Sequence, residues 1–405
     1  MVGLPARGKT YMARKLARYL SWLGYDTRVF NVGNYRRERL GSHQPHEFFS
    51  PDNPAGAEAR LHIAMAALDD MLAWLGSGGE VGIYDATNSS HERRQLVRER
   101  CESQGLDVVF IESICDDPAV IDANVRETKL LSPDYSDVDP SDAASDFLAR
   151  IAHYERAYEP IADDSASYVK LIDVGRQIVI NRIRGYLPAR VVVLLMNLHI
   201  IPRVIWLTRH GESTFNMDGR IGGDSGLSPR GEAYARSLSK LVREELAPDG
   251  DFVVWTSTLM RAVQTALPLT SRPIRWRALD EINAGVCDGM TYAEISERMP
   301  AEFRARADDK FRYRYPRGES YEDVIQRLDP VIIELERERR PLLIVGHQAV
   351  LRALYAYLLD MPPDQCPHVS IPLHTVVELR LKTYGSDERR FPLLPHSGVR
   401  DAPSS

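Results

Sequence analysis

GLPARGKT, residues 3–10, runs straight into the helical stretch YMARKLARYL, residues 11–20. Written out, Gly3-Leu4-Pro5-Ala6-Arg7-Gly8-Lys9-Thr10 fits the pattern G-x-x-x-x-G-K-[ST]. Its glycines let backbone N–H groups turn inward around phosphate oxygens, at the positive end of the helix that follows. Lys9 would neutralise charge on the β- and γ-phosphates of ATP, and the Thr10 hydroxyl would take a position on Mg²⁺. Such a loop normally hangs from the end of a buried parallel strand, whereas only Met1 and Val2 precede it in this sequence. A truncated first strand would leave its neighbours as unpaired edges and the loop loosely held. The expectation is therefore a nucleotide site with correct residues and weak or no phosphoryl transfer.

Downstream of the loop, short apolar runs alternate with helical patterns. TRVFNVG (27–33), EVGIYDATN (80–88) and LDVVFIES (106–113) are expected strands, and ARLHIAMAALDDMLAWL (59–75) an amphipathic helix. This βα rhythm predicts an α/β domain built on a mainly parallel sheet. Asp85 closes the second of these strands, at the side of an open α/β sheet where ligands bind, and suits metal binding or proton abstraction from an attacking hydroxyl. The arginines of YRRER (36, 37, 39), Arg60 and those of HERR (93, 94) are candidate forks for a phosphorylated acceptor, although each taken singly suits a solvated surface.

A second rhythm starts near Pro202. The apolar run before LTRHGES delivers Arg209, His210 and Gly211 to a strand end, and LLIVGHQAVLR repeats the device with Gly346, His347 and Arg352. One histidine at a strand end is usually structural. Two His-Gly neighbourhoods, each with an arginine close by, suit phosphoryl transfer through a phosphohistidine. Arg209, Arg261 and His347 would surround the transferring group, and Glu281 would protonate the leaving alkoxide. The arginines carry the positive charge, so this half is expected to need no metal or cofactor.

The 405 residues, 44% hydrophobic and 27% charged, suit two soluble domains. A net charge of −6 argues against a general nucleic-acid or membrane-surface binder. The four scattered cysteines form no C-x-x-C pair, so a reducing cytoplasm is the simplest setting. The apolar run VVVLLMNLHII (191–201) is too short to span a bilayer and marks the boundary between halves. Expected domains are residues 1–200 and 201–390, followed by a Pro/Ser-rich flexible tail, 391–405.

Taken together, these motifs resemble the bifunctional 6-phosphofructo-2-kinase/fructose-2,6-bisphosphatase family. The resemblance runs through GLPARGKTY, FFSPDN, DATN, SPDY, RIGGDSGLSPRG, EINAGVC, MTYAEI and YRYPRGESYEDV. It implies a phosphate-loop kinase domain followed by a phosphoglycerate-mutase-like histidine phosphatase domain, acting on ATP, fructose 6-phosphate and fructose 2,6-bisphosphate. A homodimer is expected. In the kinase half the resemblance implies ATP contacts from Asn124 and Lys129 besides the loop. It places Arg36, Arg60, Thr87, Arg93, Lys129, Arg150 and Tyr154 on fructose 6-phosphate, and makes Asp85, Cys115 and Lys129 catalytic-site residues. In the other half it puts Arg209, Asn216, Gly222 and Arg261 around the 2-phosphate, with Tyr292, Arg306, Lys310, Tyr321, Gln348 and Arg352 around the sugar and its 6-phosphate. The basic segment FRYRYPRG is then a sugar-phosphate wall rather than an RNA-binding patch. Two alternatives stand beside bifunctionality: a bisphosphatase carrying an impaired kinase half, and a non-catalytic sugar-phosphate-binding regulator.

Overall fold

The computed structural model describes residues 1–126, 132–136, 138–173, 175–199, 201–381 and 385–395. The chain divides into two compact units, Met1–Ile200 and Ile201–Ser405.

In the first unit β1 (Thr27–Asn31) pairs in parallel with β2 (Val81–Asp85), in register from Thr27↔Val81 to Asn31↔Asp85. Three further strands form a second piece: β3 (Phe110–Ile114) lies parallel to β4 (Tyr168–Ile172), which is antiparallel to β5 (Gln177–Asn181). Asn31 ends β1 because its side chain accepts from Asn34 N–H at 3.0 Å and caps the helix Val32–Leu40, so the expected strand stops two residues short of Gly33. The helix Pro54–Gly76 covers β1 and β2, burying Ala67, Leu68, Met71 and Leu72 against Phe30 and Tyr84.

Met1 and Val2 lie between the two pieces of sheet. Val2 N–H donates to Ile111 O at 2.8 Å, and Ser113 N–H donates to Val2 O at 3.0 Å. On the other side Met1 N donates to Tyr84 O at 2.8 Å, and Gly3 N–H to Thr87 O at 2.9 Å. Val2 is fully buried among Phe110, Ile161, Ala166 and Tyr168. The strand is short, as expected, but the loop after it is tied to both neighbours. That corrects the expectation of a loosely held loop, because two residues suffice for a hydrogen bond on each side and one buried side chain.

The second unit is built on a six-stranded sheet. Its strands are β6 (Arg203–Arg209), β7 (Val253–Thr256), β8 (Ile274–Arg275), β9 (Leu342–Gly346), β10 (Thr375–Leu381) and β11 (Ser386–Pro392), in the order β11-β10-β6-β9-β7-β8. The four strands β6 to β9 run parallel to one another, β10 is antiparallel to β6, and β11 is antiparallel to β10. Trp206, Val254, Leu343, Val345 and Val376 from the sheet pack on Tyr234 and Leu238 of the helix Pro229–Leu241. Directly after that helix, Val242–Leu246 forms a π turn. Strand β11 runs past residue 390, and Leu393 and Leu394 pack on the same core, so the start of the expected tail is fixed. Residues 396–405 lie outside the described residues. Among those described, no helix is long and apolar enough to cross a membrane.

The decisive register is Arg209↔Gly346 at the ends of β6 and β9. It sets His210 and His347 side by side, each one residue beyond its strand, and His210 N–H donates to Gly346 O at 3.0 Å.

Candidate active sites

In the second unit, a cleft of about 210 Å³ opens over the strand ends. All ten residues expected around the bisphosphate line it, together with His210 and Glu281. His210 Nδ1 donates to Gly211 O at 2.7 Å. A carbonyl only accepts, so the proton sits on Nδ1 and Nε2 keeps its lone pair. Arg261 Nε–H donates to that Nε2 at 3.1 Å. Burial, then the charges of Arg261 and Arg209, hold the His210 pKa well below its ordinary value, so the imidazole is neutral at physiological pH. His347, its ring centroid 5.0 Å from that of His210, is kept neutral by burial and the same arginines.

Around this pair the backbone is tightly specified. Gly222 has φ +70°, and a Cβ there would fall 1.7 Å from Asp288 Oδ1, which accepts from Gly223 N–H at 2.9 Å. Asn216 Oδ1 accepts from Ser213 N–H and from its hydroxyl, both at 3.0 Å, leaving the amide N–H groups for a ligand. Glu281 accepts from the backbone N–H groups of Gln348 and Ala349, each at 3.1 Å, and is thereby pinned at the start of the helix Gln348–Leu358.

The far wall is basic and aromatic. Arg306 donates to the hydroxyls of Tyr315 at 2.9 Å and Tyr292 at 3.0 Å. Arg352 donates to Val369 O at 2.7 Å and to the Tyr321 hydroxyl at 3.3 Å. Burial first, then the charges of Arg352 and Arg306, lower the Lys310 pKa to about 8. Three cations in one partly buried wall repel each other until an anion is placed between them.

In the first unit, Ala6 at φ +57° and Gly8 at φ +79° take left-handed backbone to curl the phosphate loop, and the helix Lys9–Trp22 starts at once after it. The loop is held from behind: Ala6 O accepts from Asn124 Nδ2 at 3.1 Å, and Arg7 O from the Ser113 hydroxyl. Lys9 Nζ reaches Leu4 O at 2.6 Å, folded over its own loop. Leu4 and Pro5 complete the turn, and Thr10 is the second residue of the helix. Asp85, 3% exposed, accepts from Asn31 Nδ2. Cys115 follows β3 and lines a small cavity with Arg7, Gly8, Tyr11 and Asn124. Burial pushes its thiol pKa up, so it is a wall residue and not a thiolate.

The acceptor side of this unit is an arginine cluster. Arg36 donates to Asp134 Oδ2 at 2.5 Å, with Arg37 at 3.5 Å and Arg150 at 3.6 Å. The Arg150 guanidinium stacks on Phe49, 3.6 Å from its centroid. Arg60 donates to the Phe48 and Ser50 carbonyls. Burial lowers its pKa, and Tyr154, Arg93 and Arg150 are close enough to act on it. Thr87 sits beside the loop, its carbonyl on Gly3 N–H. Lys129 lies outside the described residues.

Several residues of these sites had no signal of their own in the sequence. Asp134, which gathers three arginines, lay inside the quoted SPDY motif without being singled out. Ser257, whose hydroxyl meets His347 Nε2 at 2.7 Å, and Asn31 and Asp288 act through long-range contacts that no local spacing announces.

Two family models match the chain: 6-phosphofructo-2-kinase over residues 1–202, and histidine phosphatase superfamily (branch 1) over residues 205–391. A 6-phosphofructo-2-kinase/fructose-2,6-bisphosphatase of Arabidopsis thaliana is 51% identical over 97% of this chain and 53% of its own length. This chain thus spans about half of the plant relative. A relative of the same description from Gallus gallus is 49% identical, over 96% of this chain and 83% of its own. The human 6-phosphofructo-2-kinase/fructose-2,6-bisphosphatase 4 is also 49% identical, over 95% and 82%.

Proposed function

Because the chain belongs to the 6-phosphofructo-2-kinase/fructose-2,6-bisphosphatase family, we propose that its two units make and hydrolyse fructose 2,6-bisphosphate. The observation that carries the hydrolytic half is the pairing of β6 with β9, which sets a neutral, correctly protonated His210 beside His347.

In that half His210 Nε2 attacks the phosphorus of the 2-phosphate, and the bond from phosphorus to the sugar oxygen breaks. Glu281 gives its proton to the departing oxygen. Arg261 leaves Nε2 for the phosphoryl oxygens, where Arg209 and Asn216 join it. Water then attacks phospho-His210, Glu281 takes a proton from it, and phosphate leaves with His210 restored. Tyr292, Arg306, Lys310, Tyr321, Gln348 and Arg352 hold the sugar and its 6-phosphate.

In the kinase half the loop from Gly3 to Thr10, with Asn124 and Lys129, would bind ATP. Arg36, Arg60, Thr87, Arg93, Arg150 and Tyr154 would orient fructose 6-phosphate, and Asp85 would accept the proton of its 2-hydroxyl. The Thr10 hydroxyl, at the start of the helix after the loop, suits Mg²⁺, which keeps waters and phosphate oxygens as its other ligands. When bound, the ion would neutralise β- and γ-phosphate charge. The phosphatase half works with its arginines and no cofactor. The chain is proposed to act in the cytoplasm as a homodimer.

The test uses the full chain. Bisphosphate labelled at the 2-phosphate should leave label on the wild type and none on His210→Ala, while ATP and fructose 6-phosphate should yield bisphosphate with both. Failure to label the wild type would sink the hydrolytic mechanism. Labelling without any synthesis would favour the second reading, a bisphosphatase with an impaired kinase half.

A further inference from the structure

Resting on the phosphohistidine reading above, the inference concerns the partner histidine. His347 is completely buried, and its Nε2 lies 2.7 Å from the Ser257 hydroxyl. Its Nδ1 is also buried and has no hydrogen-bond partner among the described residues. A neutral imidazole carries one proton, and which nitrogen holds it decides whether Nδ1 attracts or repels an anion.

For His210 the Gly211 carbonyl settles the tautomer. Ser257 is ambiguous alone, because a hydroxyl both donates and accepts. Proton counting resolves it. Ser257 is itself fully buried, and its oxygen accepts from Leu259 N–H at 3.3 Å. If that oxygen also accepted from an Nε2–H, the hydroxyl proton would have no acceptor among the described residues. Meanwhile Nδ1 would present a bare, buried lone pair. If the hydroxyl donates to Nε2, its proton is satisfied, and Nδ1–H becomes a donor waiting for an acceptor. Strand register makes this contact: β7 pairs with β9 as far as Thr256↔Val345, so Ser257 comes level with the chain entering His347.

We propose that Ser257 is a positioning residue of the bisphosphatase half. By donating to Nε2 it holds His347 with its proton on Nδ1, and that N–H then donates to the transferring phosphoryl group. The unsatisfied donor of the resting protein is a preformed place for developing negative charge.

The tautomer can be read in the full chain labelled with ¹⁵N-histidine, using His347→Gln to assign the signals. The expected result is a protonated Nδ1 and an unprotonated Nε2 on His347; a protonated Nε2 overturns the proposal. In kinetics, Ser257→Ala should lower kcat for hydrolysis by about tenfold to a hundredfold with KM little changed. It should add no further loss when made in His347→Ala. A Ser257→Ala enzyme with wild-type kcat, or one that loses only KM, also overturns it. Should Ser257→Ala fail to fold, the wild-type spectrum decides alone. A protonated Nε2 in an enzyme that forms phospho-His210 normally removes the role of Ser257 only. Absence of phospho-His210 in the wild type removes the reaction that the residue is proposed to serve.

Discussion

Val2→Ala asks how much of the kinase half depends on one buried side chain. Val2 is wholly inaccessible and packs on Phe110, Ile161, Ala166 and Tyr168 between two pieces of sheet. Removing two carbons forfeits about 1.6 kcal/mol of transfer free energy, at roughly 0.8 kcal/mol for each. Phe110 and Tyr168 lie on paired strands that cannot close in without breaking register, so a cavity term should raise the total to about 2–3 kcal/mol. For a unit of this size that lowers its melting temperature by roughly 4–12 °C. Gly3 follows directly, so displacement of Val2 tilts the phosphate loop and should cost about tenfold or more in bisphosphate synthesis. Calorimetry of the full chain reads the first unit's transition, and both reactions are assayed on one preparation. Hydrolysis should stay at the wild-type rate. If synthesis and the first transition are unchanged, Val2 is not the anchor. If hydrolysis falls in step, the effect is global and the reasoning fails.

Asp134→Asn should destabilise the first unit by about 3 kcal/mol at pH 7, because it leaves buried guanidiniums without their carboxylate. Burial pushes the Asp134 pKa up, but the hydrogen bond from Arg36 and the charges of Arg36, Arg150 and Arg37 outweigh it, so the folded value lies below the ordinary 3.8. The stabilisation is therefore present above about pH 4 and lost as pH falls through the folded value, and the gap between variant and wild type should close there in thermal melts. Inorganic phosphate should stabilise the variant more than the wild type; equal shifts would show that the arginines are not an anion site. Lys310, at about 8, carries its charge below that pH and loses it above. KM for the bisphosphate should rise above about pH 8 with kcat steady, and Lys310→Met should flatten that rise. Glu281→Gln should slow phosphorylation of His210 by about 10²–10⁴-fold in single turnovers. A nitrophenyl phosphate, whose leaving group needs no proton, should escape most of that loss.

The sequence carried local features well. Phosphate loop, strand-end histidines and the acidic residue that closes β2 all announce themselves through short spacings, and the structure puts them at strand ends. The ten residues assigned to the bisphosphate cleft, spread from Arg209 to Arg352, came from resemblance rather than spacing, and they line one cavity. Contacts between distant segments were not legible. Asp134 gathers Arg36 and Arg150 from separate helices, and Ser257 meets a histidine 90 residues away. The expectation of a loose phosphate loop failed for a related reason. It counted residues in the strand and overlooked that one residue, bonded by N–H and C=O to one neighbour and flanked by bonds to the other, already fixes a turn.

Arg261 covers the nitrogen of His210 that does the attacking. An imidazole whose lone pair is occupied by a guanidinium is a poor nucleophile toward anything uncharged. To expose it, an incoming molecule must give the guanidinium somewhere better to go, and a phosphoryl group does so with the very atoms that are about to react. Chemoselectivity thus begins before any sugar is recognised: neutral electrophiles meet a blunted histidine, and only a phosphoester unmasks its own catalyst.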